Sequence, residues 1–225
     1  MQHDEDRQSA TGRAAALTVA VIAALLYALG VFDGAPRLRL AIKPLPVAAM
    51  AWFVRQQVQT PYSRRVHAGL WACALGDVLL ELLFPLGMLA FLIGHVFYIA
   101  AYLAEDLRPR PLHALPFVAW GLASFYVLRP GLGALTIPVA LYTLAICAMM
   151  WRAAARVELV SAPPRVWLAL VGAVLFAVSD TLIAFNKFHA PVAGARYSII
   201  TLYWLGQLGI TMSARERATN ASARP

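Results

Sequence analysis

Eight apolar runs, at about residues 14–32, 40–54, 67–84, 86–105, 112–129, 133–151, 165–185 and 194–213, take up nearly the whole chain. A bilayer core of about 30 Å is crossed by roughly 17–25 helical residues. Inside it only helices or closed barrels satisfy every backbone amide and carbonyl. Runs this long and continuous predict an all-α integral membrane protein, a bundle of eight transmembrane helices. The second run is short and carries Pro44 and Pro46, so it should be kinked or cross only part of the way. Connections such as Asp33-Gly34-Ala35-Pro36 and Arg129-Pro130-Gly131 leave no room for a separate domain. The organisation expected is an N-terminal tail over 1–13, the bundle over 14–213 and a C-terminal tail over 214–225.

Composition agrees: 61% of the 225 residues are hydrophobic, only 13% are charged, and the mean hydropathy is +0.67. The pI near 10.0 would point a soluble protein toward nucleic acid. Here the basic residues sit between apolar runs, where they set topology, and no nucleic-acid partner is expected. Counting Lys and Arg between the runs and at their ends gives 13 on the side of the two termini and 5 on the other, with Lys43 inside a run. Both termini should therefore be cytoplasmic, and Asp180, Asn186 and Lys187 should lie toward the non-cytoplasmic end of the seventh run. The acidic start, Met1 to Arg13, lacks the basic n-region of a signal peptide, so the first run is expected to be retained. Cys73 and Cys147 both fall within runs, which argues against a structural disulfide.

Two segments, Ala74-Leu75-Gly76-Asp77 and Ala177-Val178-Ser179-Asp180, place carboxylates inside membrane-length runs. A carboxylate at the bilayer centre costs about 2.5–3.5 kcal/mol on insertion scales and persists mostly where it faces a polar cavity. Asp77 and Asp180 are the first functional suspects; the alternative for each is a hydrogen bond between helices. Glu81 lies four residues from Asp77, on the same helical face. Gly172, Phe176, Asp180 and Lys187 form one stripe of the seventh run. On the fourth run Phe91, Gly94, His95 and Tyr98 stand at helical spacing, and on the eighth Tyr203 and Gln207 do so. Each of these polar rings and amides has packing as its alternative role. The two Asp segments, and Leu45-Pro46-Val47-Ala48 against Ile137-Pro138-Val139-Ala140, recur four helices apart, which suggests a four-plus-four internal repeat.

Lysine usage sharpens the list, because there are 17 arginines and only two lysines, Lys43 and Lys187. A compact ammonium on a flexible stem suits a phosphate or a tight polar site. The five histidines show neither HxxxH nor HExxH spacing, and GxSxG, P-loop and GxGxxG motifs are absent. No metal site and no cofactor are expected.

Taken together, Lys43-Pro44, Gly76-Asp77, Gly87-x-x-x-Phe91-x-x-Gly94-His95-x-x-Tyr98, Gly172-x-x-Leu175-Phe176-x-x-Ser179-Asp180, Asn186-Lys187-Phe188 and Tyr203-x-x-x-Gln207 resemble the YhhN family of lysoplasmalogenases. The resemblance runs from the second helix to the eighth. It implies an eight-helix membrane enzyme that hydrolyses the vinyl ether bond of lysoplasmalogens to a fatty aldehyde and glycerophosphoethanolamine or glycerophosphocholine. It also implies that Asp77 and Asp180 are the catalytic pair. Lys43, Glu81, His95, Tyr98, Asn186, Lys187, Tyr203 and Gln207 are then the candidate substrate-binding residues, with a lysophospholipid substrate and membrane lipids as partners.

The chemistry fits two aspartates, since a vinyl ether hydrolyses once its β-carbon is protonated. One aspartate would donate to carbon, and the other, ionised, would steady the oxocarbenium ion and take a proton from water. Both should line one cavity walled by His95, Tyr98, Tyr203 and Asn186, with Lys43 or Lys187 on the phosphate. Two rivals share these residues. A proton-coupled transporter would move substrate without bond cleavage, and a zinc-dependent membrane lipid amidase would need histidines converging on a metal. The Arg-rich, Ala-rich composition points to a GC-rich bacterial genome and hence to the cytoplasmic membrane. Oligomeric state and headgroup preference are left open by the sequence.

Overall fold

Helix boundaries in this chain are set by prolines and by one strong cap. Pro at the first helical turn has no N–H to leave unpaired and a φ already suited to the helix, and it opens helices at Pro36, Pro61 and Pro164. Thr60 adds a capping box: its Oγ1 accepts from Ser63 N at 3.0 Å while Thr60 N donates to Ser63 Oγ at 2.9 Å. The computed structural model describes residues 12, 14–15, 18–27, 29–31, 34–57, 59–158 and 164–215. Among these the regular structure is entirely helical: α1 (Thr18–Tyr27), α2 (Pro36–Ile42), α3 (Leu45–Arg55), α4 (Pro61–Leu82), α5 (Phe84–Leu103), α6 (Leu115–Leu132), α7 (Thr136–Ala155), α8 (Pro164–Phe188) and α9 (Ala195–Ser213).

The second apolar run begins earlier than its hydropathy suggested and is broken at Lys43-Pro44 into α2 and α3. Pro44 cannot donate its missing N–H, and the turn this produces leaves Lys43 at a helix junction. The Thr60 cap also starts α4 six residues before the expected 67, and α8 runs to Phe188 instead of 185, so Asn186 and Lys187 lie on its last turn. Most of the expected tails, 1–13 and 214–225, lies outside the described residues.

Among the described residues three helical stretches are long and apolar enough, by length and composition, to cross a membrane: Phe84–Leu103, Pro111–Ala155 and Pro164–Phe188. The second contains α6 and α7, separated where Gly133 takes a positive φ of 52° that side-chain-bearing residues avoid. Large apolar side chains such as Leu89, Ile93, Val96, Leu144 and Val171 face outward, a surface suited to lipid and costly in water.

The tightest packing joins α4 to α5 and α8 to α9. A Cβ on Gly172 would lie 2.6 Å from Gly206 O, so these two backbones touch, as small residues allow in membrane helices. At the end where α5, α7 and α9 finish and α8 starts, a polar clamp forms. Arg156 is fully buried, donates to Glu105, and stacks on Tyr62 and Tyr102 at 4.8 and 4.9 Å. Arg165 reaches the same Glu105 at 2.8 Å, while Arg110 donates to Asp106 Oδ2 at 2.6 Å and Arg152 to the Arg108 carbonyl at 2.8 Å. The segment after α5 is thereby tied to α7 and α8.

Candidate active site

Near the opposite end of the bundle the helices bring polar groups into an otherwise apolar layer. Asp77 of α4 is 1% exposed, and its Oδ2 accepts a hydrogen bond from the Tyr203 hydroxyl of α9 at 2.9 Å. Asp180 of α8 accepts from the Tyr142 hydroxyl of α7 at 2.5 Å. On its other side His95 Nε2, from α5, stands 3.8 Å from Asp180 Oδ2, too far for a hydrogen bond. The His95 ring is fully buried, and neither of its nitrogens is hydrogen-bonded to a described residue.

An aromatic layer joins the two carboxylates. Phe176, one turn before Asp180, packs against His95 with ring centres 4.8 Å apart and against Tyr203 at 5.3 Å. Phe91 closes the layer over Tyr203 at 5.7 Å, and Tyr142 meets His95 edge-on at 5.1 Å. Along α4, Glu81, which pairs with Lys43, sits one helical turn from Asp77.

Asp180 borders two clefts. One, of about 50 Å³, is walled by Phe84, Met88, Phe91, Tyr142 and Ile183, and the other, of about 40 Å³, by Trp120, Ser124, Tyr142, Thr143 and Thr181. Each exceeds the ~10–15 Å³ that one water needs, and the first is apolar apart from Asp180 and Tyr142. Of the pair expected to share one cavity, only Asp180 lines these two clefts, and His95, Tyr98, Tyr203 and Asn186, the expected wall, line neither. His95 and Tyr203 form the packed layer behind. Tyr98 donates to Gln207 Oε1 at 2.7 Å, both residues being fully buried, so this pair cross-links α5 and α9 within the core. Asn186 Oδ1 accepts from Val192 N at 2.9 Å and closes the connection between α8 and α9.

The two lysines part company. Lys43, 8% exposed, pairs with Glu81 Oε1 at 2.8 Å, one turn along α4 from Asp77. Lys187 lies over the ring of Phe84, a wall of the first cleft, at 4.5 Å. Tyr142 is the residue that sequence reasoning missed. Its signal, a phenol inside an apolar run, was the same one that marked Tyr203. Among the described residues no three His, Cys, Asp or Glu side chains converge as a metal site would require, so the zinc amidase reading finds no ligand set there.

No solved structure gives a significant match. The chain is 34% identical over 189 residues to the Bos taurus protein named lysoplasmalogenase TMEM86A, an alignment covering 78% of this chain and 77% of that one. It is 34% identical over 178 residues to Homo sapiens lysoplasmalogenase TMEM86B, with 77% and 74% covered. A Mycobacterium tuberculosis protein named lysoplasmalogenase is 35% identical over 143 residues, with 58% and 51% covered. Residues 38–214, which hold Lys43, both aspartates, Tyr142 and Tyr203, match the YhhN family model, and on this extent of agreement the chain belongs to the YhhN family.

Proposed function

We propose that this chain hydrolyses the vinyl ether bond of lysoplasmalogens, releasing a fatty aldehyde and glycerophosphoethanolamine or glycerophosphocholine, with Asp77 and Asp180 as the acid–base pair. The observation that carries the reading is a pair of aspartates, each held by a tyrosine hydroxyl and one bordering an apolar cleft, in a chain whose relatives are named lysoplasmalogenases.

The alkenyl chain lies in the cleft walled by Phe84, Met88 and Phe91. Asp180, protonated, gives its proton to the β-carbon, leaving an oxocarbenium ion between the α-carbon and the ether oxygen. Water adds to the α-carbon and loses a proton to Asp77, one helical turn from the Lys43–Glu81 pair. In the hemiacetal the hydroxyl proton returns to Asp180 as the carbon–oxygen bond to glycerol breaks, and Asp77 protonates the departing oxygen. Both aspartates finish as they began, and one water has been consumed. Tyr142 and Tyr203 hold the carboxylates in place.

The bundle is read as eight passes in two parallel four-helix repeats. Asp77 and Asp180 are 103 positions apart, as are Gly69 and Gly172, while His95 and Tyr203 are 108 apart, as are Tyr98 and Gly206. In that register Gly69 faces Tyr98 as Gly172 faces Gly206, and each aspartate meets a polar ring from the other half. The arginine clamp marks the cytoplasmic end under the positive-inside rule, with both tails on that side and a bacterial inner membrane as the location.

The test is aldehyde release from a 1-alkenyl lysophospholipid by purified protein. Asp77→Asn and Asp180→Asn should each lower turnover by about 10²–10⁴ while the protein stays folded. Near-full turnover in both variants refutes the acid–base roles. No cleavage by the wild type, with proton-dependent substrate flux in liposomes, replaces this reading with the transporter.

A further inference from the structure

Beside the Lys43–Glu81 pair opens a cavity of about 210 Å³ lined by Tyr27, Arg37, Arg39, Lys43 and Glu81 among others, and by neither aspartate. Three of these side chains are cationic and one is anionic. Lys43 is buried and has its ammonium on Glu81 at 2.8 Å, while Glu81 keeps 38% of its side chain exposed. Neither Arg37 nor Arg39 forms an ion pair with a described residue. Arg196 stacks over the Tyr27 ring at 5.2 Å. The cavity therefore carries surplus positive charge, which favours an anion that guanidinium groups can hold through two oxygens.

A phosphate alone would leave a difficulty. Once Lys43 turns toward it, Glu81 loses its partner in a site where an uncompensated charge is costly. A ligand that brings its own ammonium removes the difficulty, because it exchanges the internal Lys43–Glu81 pair for two external ones. Placement agrees as well. Lys43 meets Glu81 at 2.8 Å, one helical turn or about 6 Å of rise from Asp77, so a phosphate taken by Lys43 sits about one glycerol unit from an sn-1 ether oxygen at the aspartate.

We propose that this cavity is a headgroup site selective for a phosphoamine, in which Arg37, Arg39 and Lys43 take the phosphate and Glu81 takes a primary ammonium. A quaternary ammonium has no N–H to offer Glu81 and is best held by an aromatic cage, of which Tyr27 supplies a single wall, so ethanolamine is preferred to choline. The proposal rests on the hydrolase reading for the lipid it assigns, but ion recognition can be measured without bond cleavage.

The experiment uses saturated alkyl-ether lysolipids, which cannot be hydrolysed, titrated calorimetrically into the purified full-length protein. Lysophosphoethanolamine should bind more tightly than lysophosphocholine, and monoalkylglycerol, lacking phosphate, most weakly. Arg37→Ala with Arg39→Ala should weaken both phospholipids by about tenfold or more and leave monoalkylglycerol unchanged. Glu81→Gln should erase the preference for ethanolamine while binding remains phosphate-dependent. Equal affinity for monoalkylglycerol, or unchanged affinity in the arginine variant, overturns the site. Inorganic phosphate or free glycerophosphoethanolamine binding as tightly as the lysolipid overturns its assignment to a lipid. Headgroup-dependent binding without vinyl ether hydrolysis refutes the proposed activity alone, and hydrolysis with unchanged KM in the arginine variant refutes the site alone.

Discussion

Replacing Tyr203 by Phe removes one oxygen and keeps a ring that packs against Phe91 at 5.7 Å and Phe176 at 5.3 Å. What is lost is the 2.9 Å hydrogen bond to Asp77, between residues 4% and 1% exposed. A hydrogen bond to a charged group is worth about 1.5–3 kcal/mol. At about 1.36 kcal/mol per factor of ten in rate, loss of that bond in the transition state lowers kcat roughly 10- to 150-fold. Tyr98→Phe is the matched control, since it removes an equally buried hydroxyl whose 2.7 Å bond goes to Gln207. That change leaves Gln207 Oε1 unpaired at a cost of about 1–3 kcal/mol and should lower the melting temperature while kcat stays within about twofold. Aldehyde release by each variant, as kcat and KM, is measured alongside thermal unfolding in the same detergent. Full turnover by Tyr203→Phe, or equal kcat losses in the two variants, would refute the distinction between a tyrosine that serves Asp77 and one that ties helices together.

Three further outcomes follow from other contacts. His95→Phe removes an imidazole that stands 3.8 Å from Asp180 Oδ2 and keeps a ring to pack on Phe176, so the thermal melt should change by no more than about 1 kcal/mol; a large loss of stability would mean that the imidazole nitrogens are paired in the folded protein. Gly172→Ala sets a methyl 2.6 Å from Gly206 O and 2.8 Å from Ile210 N, atoms that cannot swing aside, and should cost about 1–3 kcal/mol on a thermal or denaturant melt. An unchanged melt would mean α8 and α9 separate freely. Burial of Asp106 works against its charge, yet the Arg110 guanidinium and the Arg108 N–H hold its carboxyl below the usual carboxylate range. Its contribution is therefore present above the unfolded value of about 3.9 and is lost as pH falls through the lower folded value. Proteolysis between α5 and α6 should rise on that acid limb, and Asp106→Asn should flatten the dependence.

The apolar runs, the two aspartates and the unusual position of Lys43 were legible in the amino-acid sequence because the cost of placing a residue in lipid belongs to that residue alone. A carboxylate in such a run stands out whatever surrounds it, and Pro44 breaks a helix wherever the helix packs. Partners are a property of two residues and of how their helices rotate and cross. Tyr98 and Tyr203 looked alike on their helices, yet one bonds Gln207 in the core and the other Asp77. Tyr142 carried no sign that α7 would turn it onto Asp180, and Lys187 no sign that it would settle on Phe84. Arg37 and Arg39 read as ordinary loop charge until the break at Lys43-Pro44 folded α2 over Glu81. Each helix states which face is polar, but only the packing of the α4–α5 and α8–α9 pairs, drawn together by glycines, against each other and against α7 decided which polar faces meet.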